Sequence, residues 1–414
     1  MSRRQPRIIS LYTGAGGMDY GFEAAGFRTA VAVEMNHDCC ETLRRNRRFP
    51  VIESSIFDVA SEVLLETAGL KHGEADLLIG GPPCQPFSKS GYWATGDSRR
   101  LDDPRADTLS AYLRVLEETQ PAAFVLENVT GIAYSGKSEG LDLLVDAVRQ
   151  INRRTGSRYE PVYKVINAAT YGVPQIRERF FMVAARDGTT FKFPAATHGE
   201  VDHDAGGLFQ IVKPYVRAWD ALAGLMPEPE EDLAMRGKWA DLLPTIPEGQ
   251  NYLWHTERGG GEPLFGWRRR FWTFLLKLAK ALPSWTIQAQ PGPAVGPFHW
   301  DNRRLSVREL CRLQTFPDDV IPVGGRTSIQ KQVGNAVPSL LTEVLGRAIR
   351  AQLLEGGGPR GELSLLPRDR GDPPPPRKPS TVPRRFLRQR SRDTAHPGTG
   401  KGRGAVARAQ ESAL

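Results

Sequence analysis

The sequence predicts an α/β fold with an open, mostly parallel β-sheet. Residues 1–190 alternate short apolar runs, typical of buried strands, with segments of helical periodicity. This strand–helix alternation is the pattern of parallel sheets covered by helices. With 414 residues, 40% of them hydrophobic and 25% charged, the chain can bury a large core without disulfides or a structural metal. No apolar run reaches the length of a membrane span.

The chain divides into four parts. The predicted strands are Arg7–Tyr12, Thr29–Val33, Asp76–Ile79, Ala122–Leu126 and Phe180–Ala185. The predicted helices are Met18–Ala25, Leu109–Glu118 and Leu141–Ile151. Between residues 191 and 302 this rhythm is lost, and it returns where Ser306 and Glu309 have the spacing of a helix-capping box. We therefore predict a first domain over 1–190, a separate region over 191–302, a return segment over 303–354 that completes the first domain, and a tail over 355–414.

The cysteines indicate a reducing compartment. The four cysteines, Cys39, Cys40, Cys84 and Cys311, form no CxxC pair and no disulfide framework. The N-terminal residues carry no signal-peptide pattern, so we expect a cytoplasmic protein.

A glycine-rich loop follows the first predicted strand and opens the first predicted helix. It reads Thr-Gly-Ala-Gly-Gly-Met-Asp at positions 13–19, so Asp19 stands where a dinucleotide-binding GxGxxG pattern has its third glycine. Glu34, at the end of the next predicted strand, is placed to accept hydrogen bonds from ribose hydroxyls. This combination suits a nucleoside cofactor such as S-adenosylmethionine. The alternative is a glycine turn that serves only tight packing.

A second loop follows the strand predicted over Asp76–Ile79 and contains a cysteine. It reads Gly-Gly-Pro-Pro-Cys-Gln-Pro-Phe-Ser at positions 80–88, and its prolines restrict the backbone. Most isolated cysteines are packing residues. Because Cys84 sits in a stiff loop at the carboxyl end of a strand, it is a candidate nucleophile for covalent catalysis.

Together with four further segments, these loops resemble the DNA (cytosine-5) methyltransferase family. The matching segments cover roughly residues 7–350 in the family's order. They are the glycine loop with Gly21–Phe27, the cysteine motif Gly81–Ser88, the acidic motif Glu127–Val129, the QxRxR motif Tyr171–Arg179, the ninth motif Arg304–Glu309 with Gln314–Pro317, and the last motif Gln332–Pro338. The resemblance implies a Rossmann-like S-adenosylmethionine-dependent methyltransferase fold with a smaller target-recognition domain.

The resemblance also implies an activity and its catalytic residues. The enzyme would write 5-methylcytosine in double-stranded DNA, as the methylase half of a restriction–modification system. Cys84 would add to carbon 6 of cytosine, Glu127 would neutralise nitrogen 3, and Arg179 would hold the exocyclic oxygen with support from Arg177. The alternatives are a structural carboxylate at Glu127 and a surface ion pair between the arginines and Glu178.

The target atom lies inside the base stack, so the cytosine must be flipped out of the duplex. The family implies a mobile stretch after the nucleophile that closes over DNA, here at about Ser88–Arg105 and including Lys89, Arg99 and Arg100.

The resemblance assigns the cofactor site residue by residue. The matching positions are Tyr12, Gly14, Gly16 and Gly17 around the methionine part, Glu34 at the ribose, and Pro82, Asn335 and Ala336 lining the pocket. The adenine contacts depart from the family, because Ser54-Ser55-Ile56 stands where Gly-Asp-Ile is usual. Ile56 is kept, and either Ser55 or Asp58 would contact the adenine amino group.

The family places its target-recognition region between the QxRxR and ninth motifs, which here leaves about 110 residues. Candidate phosphate contacts are Arg268, Arg269, Arg270, Lys277 and Lys280. The tryptophans Trp267, Trp272, Trp285 and Trp300 could be core residues or wedges between bases. The helical spacing of Phe271, Phe274, Leu275 and Leu278 favours an amphipathic core helix. His299 has no other ligand-type residues near it in sequence, so we predict no metal site.

The resemblance implies double-stranded DNA as partner and S-adenosylmethionine as cofactor. A cognate restriction endonuclease would act on the same site without physical contact. We expect a monomer in the bacterial cytoplasm or nucleoid, away from membranes. Two alternatives are a tRNA-modifying relative and a catalytically silent DNA-binding regulator. The first usually carries a Cys-Phe-Thr tripeptide that is absent here, and the intact Cys84, Glu127 and Arg179 weigh against the second.

The net charge of +8 is located almost entirely in the tail. Residues 355–414 hold 13 Lys and Arg against 6 Asp and Glu, together with nine Pro and nine Gly. Such a composition buries little apolar surface, so we expect the tail to be disordered. We also expect its deletion to leave methylation largely intact while weakening salt-sensitive nonspecific binding.

Overall fold

The computed structural model describes residues 4–83, 107–134, 139–200, 212–266, 272–354 and 361–388. In these ranges one large sheet forms the centre of the protein. Its strands are Arg7–Leu11 (β1), Arg28–Glu34 (β2), Val51–Glu53 (β3), Leu77–Gly80 (β4), Ala123–Asn128 (β5), Val162–Asn167 (β6) and Glu178–Ala185 (β7). A separate two-stranded ladder joins His198–Gly199 (β8) to Lys213–Pro214 (β9).

The large sheet has the spatial order β3-β2-β1-β4-β5-β7-β6 among the described strands. β1 pairs in parallel with β2 and with β4, while β2 pairs with β3 and β4 with β5 in the same sense. Only β7 runs against its neighbours β5 and β6 within this sheet. The sheet is therefore mostly parallel, as predicted.

Helices connect the strands and cover both faces of the sheet. They are Gly17–Ala24 (α1), His37–Asn46 (α2), Ser61–Ala68 (α3), Asp107–Thr119 (α4), Gly131–Tyr134 (α5), Glu139–Thr155 (α6), Ala218–Leu222 (α7), Val307–Leu313 (α8), Arg326–Asn335 (α9), Ser339–Leu353 (α10) and Arg384–Leu387 (α11). Short 3-10 helices span Ile56–Asp58, Ala168–Tyr171, Ala240–Thr245 and Tyr252–His255. The predicted strands and helices of residues 1–190 are present, with bounds shifted by a few residues. The sequence did not reveal α2, α3, α5, β3 or β6.

Alternate side chains of each central strand enter different hydrophobic clusters. In β4, Leu78 packs with α3, α4 and α6, whereas Leu77 and Ile79 pack with α1 and α10. β5 divides in the same way, with Phe124 on the first face and Val125 on the second. A sheet buried on both faces explains why these strands read as continuous apolar runs in the sequence.

Helix α10, late in the chain, packs on α1 near its beginning. A Cβ placed on Gly21 of α1 would lie 2.0 Å from both the backbone oxygen of Ser339 and Oγ1 of Thr342 in α10. The hydroxyl of Ser339 also donates to the backbone oxygen of Gly17 at 2.8 Å. The predicted capping box is confirmed, since Ser306 and Glu309 exchange hydrogen bonds at the start of α8. The return segment thus fixes α1 and the glycine loop in front of it.

The region after β7 has little regular structure and its own apolar cluster. The prediction of an amphipathic helix over 271–278 is wrong for its described part, which begins at residue 272. Phe274 and Lys277 instead form isolated β-bridges with Val295 and Phe298. Helical periodicity misled here because the consecutive residues 274–276 are all buried, so this segment has no solvent face.

The tail prediction is wrong for residues 361–388. This segment lies along the folded protein, and Phe386 in α11 is only 3% exposed. Its ring stacks on Trp239 with centroids 5.8 Å apart. Low apolar content predicted disorder, but a segment that packs on an existing core needs only a few apolar anchors.

Candidate active site

The sequence motifs meet at one edge of the sheet. Strands β2, β1, β4 and β5 are neighbours and run in parallel, so their carboxyl ends lie side by side. The glycine loop follows β1, Glu34 ends β2, the cysteine motif follows β4, and Glu127 lies near the end of β5. In open α/β sheets this edge is where ligands bind.

Glu127 and Arg179 form a buried ion pair at this edge. Nε of Arg179 lies 2.9 Å from Oε1 of Glu127, and the two side chains are 15% and 11% exposed. The antiparallel pairing of β5 with β7 sets Glu127 opposite Phe181. Arg179 lies two residues before Phe181 in β7 and therefore comes within reach of Glu127. Arg179 therefore pairs with Glu127, while its contact with Glu178 is a hydrogen bond to the backbone oxygen.

The segment that leads to Cys84 runs beside this pair. A Cβ on Gly81 would lie 2.7 Å from Oε2 of Glu127, so the glycine permits close approach of the loop. The amide of Asn128 donates to the backbone oxygen of Pro82 at 3.1 Å. Thr108 donates to the backbone oxygen of Pro83 at 2.8 Å. Three consecutive residues are thus held by their neighbours up to the position before Cys84.

Burial raises the pKa of the Glu127 carboxyl, although the charges of Arg179 and Arg177 and the Arg179 hydrogen bond act in the opposite direction. Burial also lowers the pKa of both guanidinium groups. Arginine nevertheless remains charged at neutral pH. The site therefore combines a carboxyl that takes up a proton more readily than usual with a fixed positive charge next to it.

Arg177 lies deeper and joins three segments of the chain. It is 1% exposed, and its guanidinium donates to the backbone oxygens of Gly334 at 2.6 Å and Ile287 at 3.2 Å. Gln175 adds contacts to the side chain of Gln314 at 3.0 Å and the backbone nitrogen of Ile287 at 3.1 Å. The QxRxR motif is thus hydrogen-bonded to the ninth motif through Gln314 and to the last motif through Gly334. It is also bonded to Ile287, which lies between the QxRxR and ninth motifs.

The glycine loop adopts left-handed backbone conformations that explain its composition. Gly14 and Gly16 have φ angles of 56° and 86°, which glycine adopts without steric cost. Tyr12 also has a positive φ of 54°, and its hydroxyl donates to the backbone oxygen of Thr108 at 2.6 Å. A Cβ on Gly17 would lie 2.5 Å from the backbone oxygen of Val337. Glycine is therefore required at position 17 for the approach of the last motif.

Asp19 faces the protein interior. Its carboxylate accepts hydrogen bonds from Ser10 at 3.0 Å and Thr29 at 2.9 Å, and burial raises its pKa to about 7. The residue that breaks the GxGxxG pattern thus ties α1 to strands β1 and β2.

The carboxylate of Glu34 is hydrogen-bonded to the glycine loop. One carboxylate oxygen accepts from the backbone nitrogen of Gly14 at 2.8 Å, and the other accepts from the backbone nitrogens of Met35 and Asn36 at 2.9 and 2.8 Å. The carboxylate is therefore oriented by backbone donors at the edge predicted to hold a ribose. Across this edge, Asn335 is exposed and Ala336 half-buried at the end of α9.

The next strand brings the remaining cofactor candidates. Ile56 is buried, and Ser55 caps its 3-10 helix by accepting from the backbone nitrogen of Phe57 at 3.4 Å. Asp58 is exposed. Met35 and Phe57 are 72% and 55% exposed, an unusual exposure for large apolar side chains next to polar site residues. The sequence interpretation missed both, although Met35 directly follows Glu34 at the end of β2 and Phe57 directly follows Ile56 in the 3-10 helix.

The predicted phosphate contacts Lys277 and Lys280 are wrong. Both are buried, at 3% and 6% exposed. Lys277 donates to the backbone oxygen of Ile246, and burial lowers its pKa to about 8. Lys280 pairs with the carboxylate of Glu248. Their amino groups bind acceptors inside the region and are therefore not available to DNA phosphates.

The tryptophans divide between core and surface. Trp300 is 7% exposed and is a core residue. Trp272 and Trp285 are each 37% exposed and meet edge to face with ring centroids 4.7 Å apart. Cys84, the stretch Ser88–Arg105 with Lys89, Arg99 and Arg100, and the segment formed by Trp267, Arg268, Arg269, Arg270 and Phe271 lie outside the described residues.

One group of side chains from α2 and β3 contains metal-ligand residue types. Ligand atoms of His37, Glu41 and Glu53 lie within 4.8 Å of one another. Arg44 bonds both carboxylates, at 2.8 and 2.6 Å. This cluster is therefore a solvent-exposed ion-pair network.

Comparison with solved structures defines the class of the fold. The chain resembles the Spodoptera frugiperda DNMT2 structure with a TM-score of 0.57 and 14% identity, over 83% of this chain and 99% of that one. It resembles the Entamoeba histolytica methyltransferase EhMeth with a TM-score of 0.55 and 15% identity, over 85% and 99%. Together with the mostly parallel sheet, this confirms the predicted Rossmann-like methyltransferase fold.

The family follows from the sequence comparisons. Residues 6–351 match the family model of the C-5 cytosine-specific DNA methylases. The Type II methyltransferase M.SacI of Streptomyces achromogenes is 42% identical over 373 residues, which are 84% of this chain and 93% of that protein. The Type II methyltransferase M.NgoFVII of Neisseria gonorrhoeae is 31% identical over 343 residues, 81% and 84% of the two chains.

The chain belongs to the C-5 cytosine-specific DNA methylase family, and the predicted resemblance is confirmed. It is a DNA (cytosine-5) methyltransferase of the type II restriction–modification class. Among the described helices, none combines the length and the apolar character that a bilayer crossing requires.

The contacts of Arg177 predict a large stability effect. Arg177→Ala leaves the backbone oxygens of Gly334 and Ile287 without their donor and should lower the free energy of unfolding by about 3–5 kcal/mol. Urea denaturation followed by circular dichroism measures this change. Arg153→Ala, at an exposed position of α6, is the control and should stay within about 0.5 kcal/mol of the parent protein. Equal small effects of both substitutions would show that Arg177 does not hold the three segments together.

Proposed function

We propose that this enzyme methylates carbon 5 of a cytosine flipped out of double-stranded DNA, through a covalent adduct with Cys84. The observation that carries the proposal is the buried Glu127–Arg179 pair beside Gly81, on the loop that leads to Cys84. A carboxyl with raised pKa and a fixed guanidinium are the two groups that a cytosine ring needs to accept a nucleophile at carbon 6.

The thiolate of Cys84 attacks carbon 6, and the electrons of the 5,6 double bond move into the ring. This converts the base into an enamine whose carbon 5 is electron-rich. Carbon 5 then forms the new bond to the methyl group, whose bond to the sulfonium sulfur of the cofactor would break and leave the electron pair on that sulfur. Loss of the carbon-5 proton and breakage of the sulfur–carbon bond regenerate the aromatic ring and the free thiolate.

Glu127 supplies the proton that nitrogen 3 needs while Cys84 is attached. Because burial raises its pKa, the carboxyl holds a proton at a higher pH than an exposed glutamate does. Arg179 meets the same carboxylate and would donate to the exocyclic oxygen of the bound base, where negative charge develops. Arg177 keeps this arrangement in place as a positioning residue.

S-adenosylmethionine fits the residues at the carboxyl edge of β1 and β2. Within the part of the chain that the structure describes, no heavy atom other than those of Gly14 and its two chain neighbours lies within 4 Å of a Cβ built on Gly14, so the loop leaves open space in front of its backbone. Tyr12, Gly16 and Gly17 would surround the methionine part, with Glu34 accepting from the ribose hydroxyls. The bound cofactor supplies the methyl group. Pro82, Asn335 and Ala336 would line the remaining wall.

The adenine would lie near the ends of β2 and β3. These strands pair with Glu34 opposite Glu53, so Met35 and the 3-10 helix after β3 border the same edge. The exposed Met35 and Phe57 side chains would pack on the adenine faces, beside Ile56. Ser55 already caps a helix, whereas Asp58 is exposed. We therefore favour Asp58 as the acceptor for the adenine amino group and retain Ser55 as the alternative.

The region 191–302 would read the DNA sequence, and the stretch Ser88–Arg105 would close over the flipped base. A methylase of this class would protect host DNA against an endonuclease that cuts at the same site. We propose that the enzyme acts as a monomer in the bacterial cytoplasm, where DNA and S-adenosylmethionine are both present.

The covalent mechanism predicts a trapped intermediate. A duplex containing 5-fluorocytosine cannot lose a proton from carbon 5, so it should remain attached to Cys84 after methyl transfer. Denaturing gel electrophoresis with labelled S-adenosylmethionine should reveal the adduct, and Cys84→Ser should abolish it. Cys311→Ser, which replaces a buried free thiol, is the control and should retain the adduct. Absence of an adduct with the parent enzyme, or its persistence in Cys84→Ser, would contradict the mechanism.

The role of Glu127 predicts a pH dependence. Catalysis needs the protonated carboxyl, so kcat should fall as pH rises through the pKa of Glu127. Glu127→Gln should lower kcat by about 10²–10⁴-fold and remove this alkaline decline. Initial methylation rates over a range of pH measure both effects. Glu178→Gln, in the same motif but exposed, should leave the profile unchanged. An unaltered profile in Glu127→Gln would exclude this proton donor.

The role of Glu34 predicts a selective loss of cofactor affinity. Glu34→Gln removes a charged acceptor and should weaken S-adenosylhomocysteine binding at least tenfold, or about 1.5–3 kcal/mol. Isothermal titration calorimetry measures this change. Glu53→Gln alters the glutamate paired with Glu34 on the neighbouring strand and should bind normally. Matching affinities for the two variants would remove Glu34 from the cofactor site.

A further inference from the structure

We propose that residues 361–388 form a C-terminal strap that fixes the DNA-recognition region on the catalytic domain, with Phe386 as its key positioning residue. The proposal rests on the function proposed above for residues 191–302. The strap follows the part of the chain that matches the methylase family model, which ends at residue 351. Its role is therefore an addition to the family's catalytic machinery.

The first part of the strap is attached to the catalytic domain. Glu343 in α10 is fully buried, and its carboxylate accepts from the backbone nitrogens of Ser364 at 2.8 Å and Leu365 at 2.9 Å. Arg347 pairs with Glu343 and donates to the backbone oxygens of Gly361 and Glu362 at 2.8 Å each. A buried carboxylate is costly without partners, so these bonds hold the strap firmly to α10.

The middle of the strap is attached to the start of α7. Arg217 donates to the carboxylate of Asp369 and to the backbone oxygen of Gly371, each at 3.0 Å. Asp220 accepts from the backbone nitrogen of Arg370 at 3.1 Å while it also pairs with Arg217. The strap is thereby hydrogen-bonded to the first turn of α7, the helix that follows β9.

The last part of the strap is built into the recognition region. Phe386 belongs to an apolar cluster that also contains Leu242, Tyr252, Phe265 and Phe274. Outside the aromatic stack, the backbone nitrogen of Ser380 donates to the backbone oxygen of Pro244 at 3.0 Å. The Phe386 ring is thus a core residue of a region more than a hundred positions earlier in the chain.

These attachments fix the part of the recognition region around Trp239. Other parts of the region are attached independently, since segment 284–287 is hydrogen-bonded to the QxRxR motif through Pro174 and Ile176, and Leu233 accepts from the backbone nitrogen of Arg304 at 2.8 Å. Among the described residues, the apolar cluster around Trp239 contains no side chain of the catalytic domain, and its members from outside 191–302 belong to the strap. A cluster held only through its own chain connections can change its orientation, whereas an added attachment through the strap restricts that freedom. The four consecutive prolines 373–376 make the connection stiff, because each fixes its own φ angle. A preorganised recognition region loses less entropy when DNA binds.

Phe386→Ala should loosen the attachment of the cluster around Trp239 and weaken DNA binding. We expect Kd and KM for duplex DNA to rise about tenfold, because orientation must then be ordered on binding. The value of kcat at saturating DNA and KM for S-adenosylmethionine should stay within twofold, since the catalytic edge is unchanged. Fluorescence anisotropy with labelled duplex and initial-rate kinetics measure these quantities. Bisulfite sequencing of DNA from an expressing host first supplies the methylated sequence.

Matched variants separate positioning from general stability. Leu387→Ala, at the exposed neighbour, should behave like the parent enzyme, and Phe386→Leu should restore most of the DNA affinity. A chain ending at Arg388 should retain parental DNA affinity, and a chain ending at residue 360 should lose it. This differs from the expectation, based on composition, that the whole tail can be deleted with methylation largely intact. If the shorter chain does not fold, the comparison of Phe386→Ala with Phe386→Leu decides the question.

Two results would contradict the proposed role of the strap. One is a DNA Kd and KM of Phe386→Ala within twofold of the parent values. The other is an equal change in kcat or in KM for S-adenosylmethionine, which would indicate general destabilisation. Anisotropy requires no methyl transfer, so a failure of the Cys84 mechanism would leave this test intact.

Discussion

The buried guanidinium of Arg177 is the interaction on which the site depends. A charge with 1% exposure must find acceptors inside the protein, and the backbone oxygens of Gly334 and Ile287 are the acceptors it finds. These residues lie 157 and 110 positions away along the chain. The requirement to satisfy one arginine thus joins the last motif and the region 191–302 to the start of β7, and so sets the position of Arg179 two residues later.

The electrostatics of the edge follow from that placement. Two guanidinium groups lie near one carboxylate, in surroundings where burial alters the pKa of all three. In the proposed mechanism, the excess of positive charge would stabilise a base that becomes negative as it accepts a nucleophile. Since these groups are already fixed by neighbouring segments, little reorganisation would be needed when that charge develops. The same burial that costs stability would therefore prepare the site for the proposed chemistry.

The sequence predicted the central strands and the family because both leave strong local signals. Strands buried on two faces read as continuous apolar runs, and the motifs contain unusual residue types at fixed spacing. β6 was missed because it lies at the sheet edge with most of its side chains partly or fully exposed, and β3 because it has only three residues. Met35 and Phe57 carry no pattern of their own. Their exposure at the edge of the sheet is seen only in the structure.

The failures outside the catalytic domain share one physical cause. Lys277 and Lys280 were expected on the surface because lysine usually is, yet each is buried against an acceptor from residues 246–248. The strap was expected to be disordered because its composition cannot form a core of its own. It does not need one, since α10 and the cluster around Trp239 already supply the apolar surface. Composition describes what a segment can bury by itself, whereas these segments are ordered by partners that the rest of the chain provides.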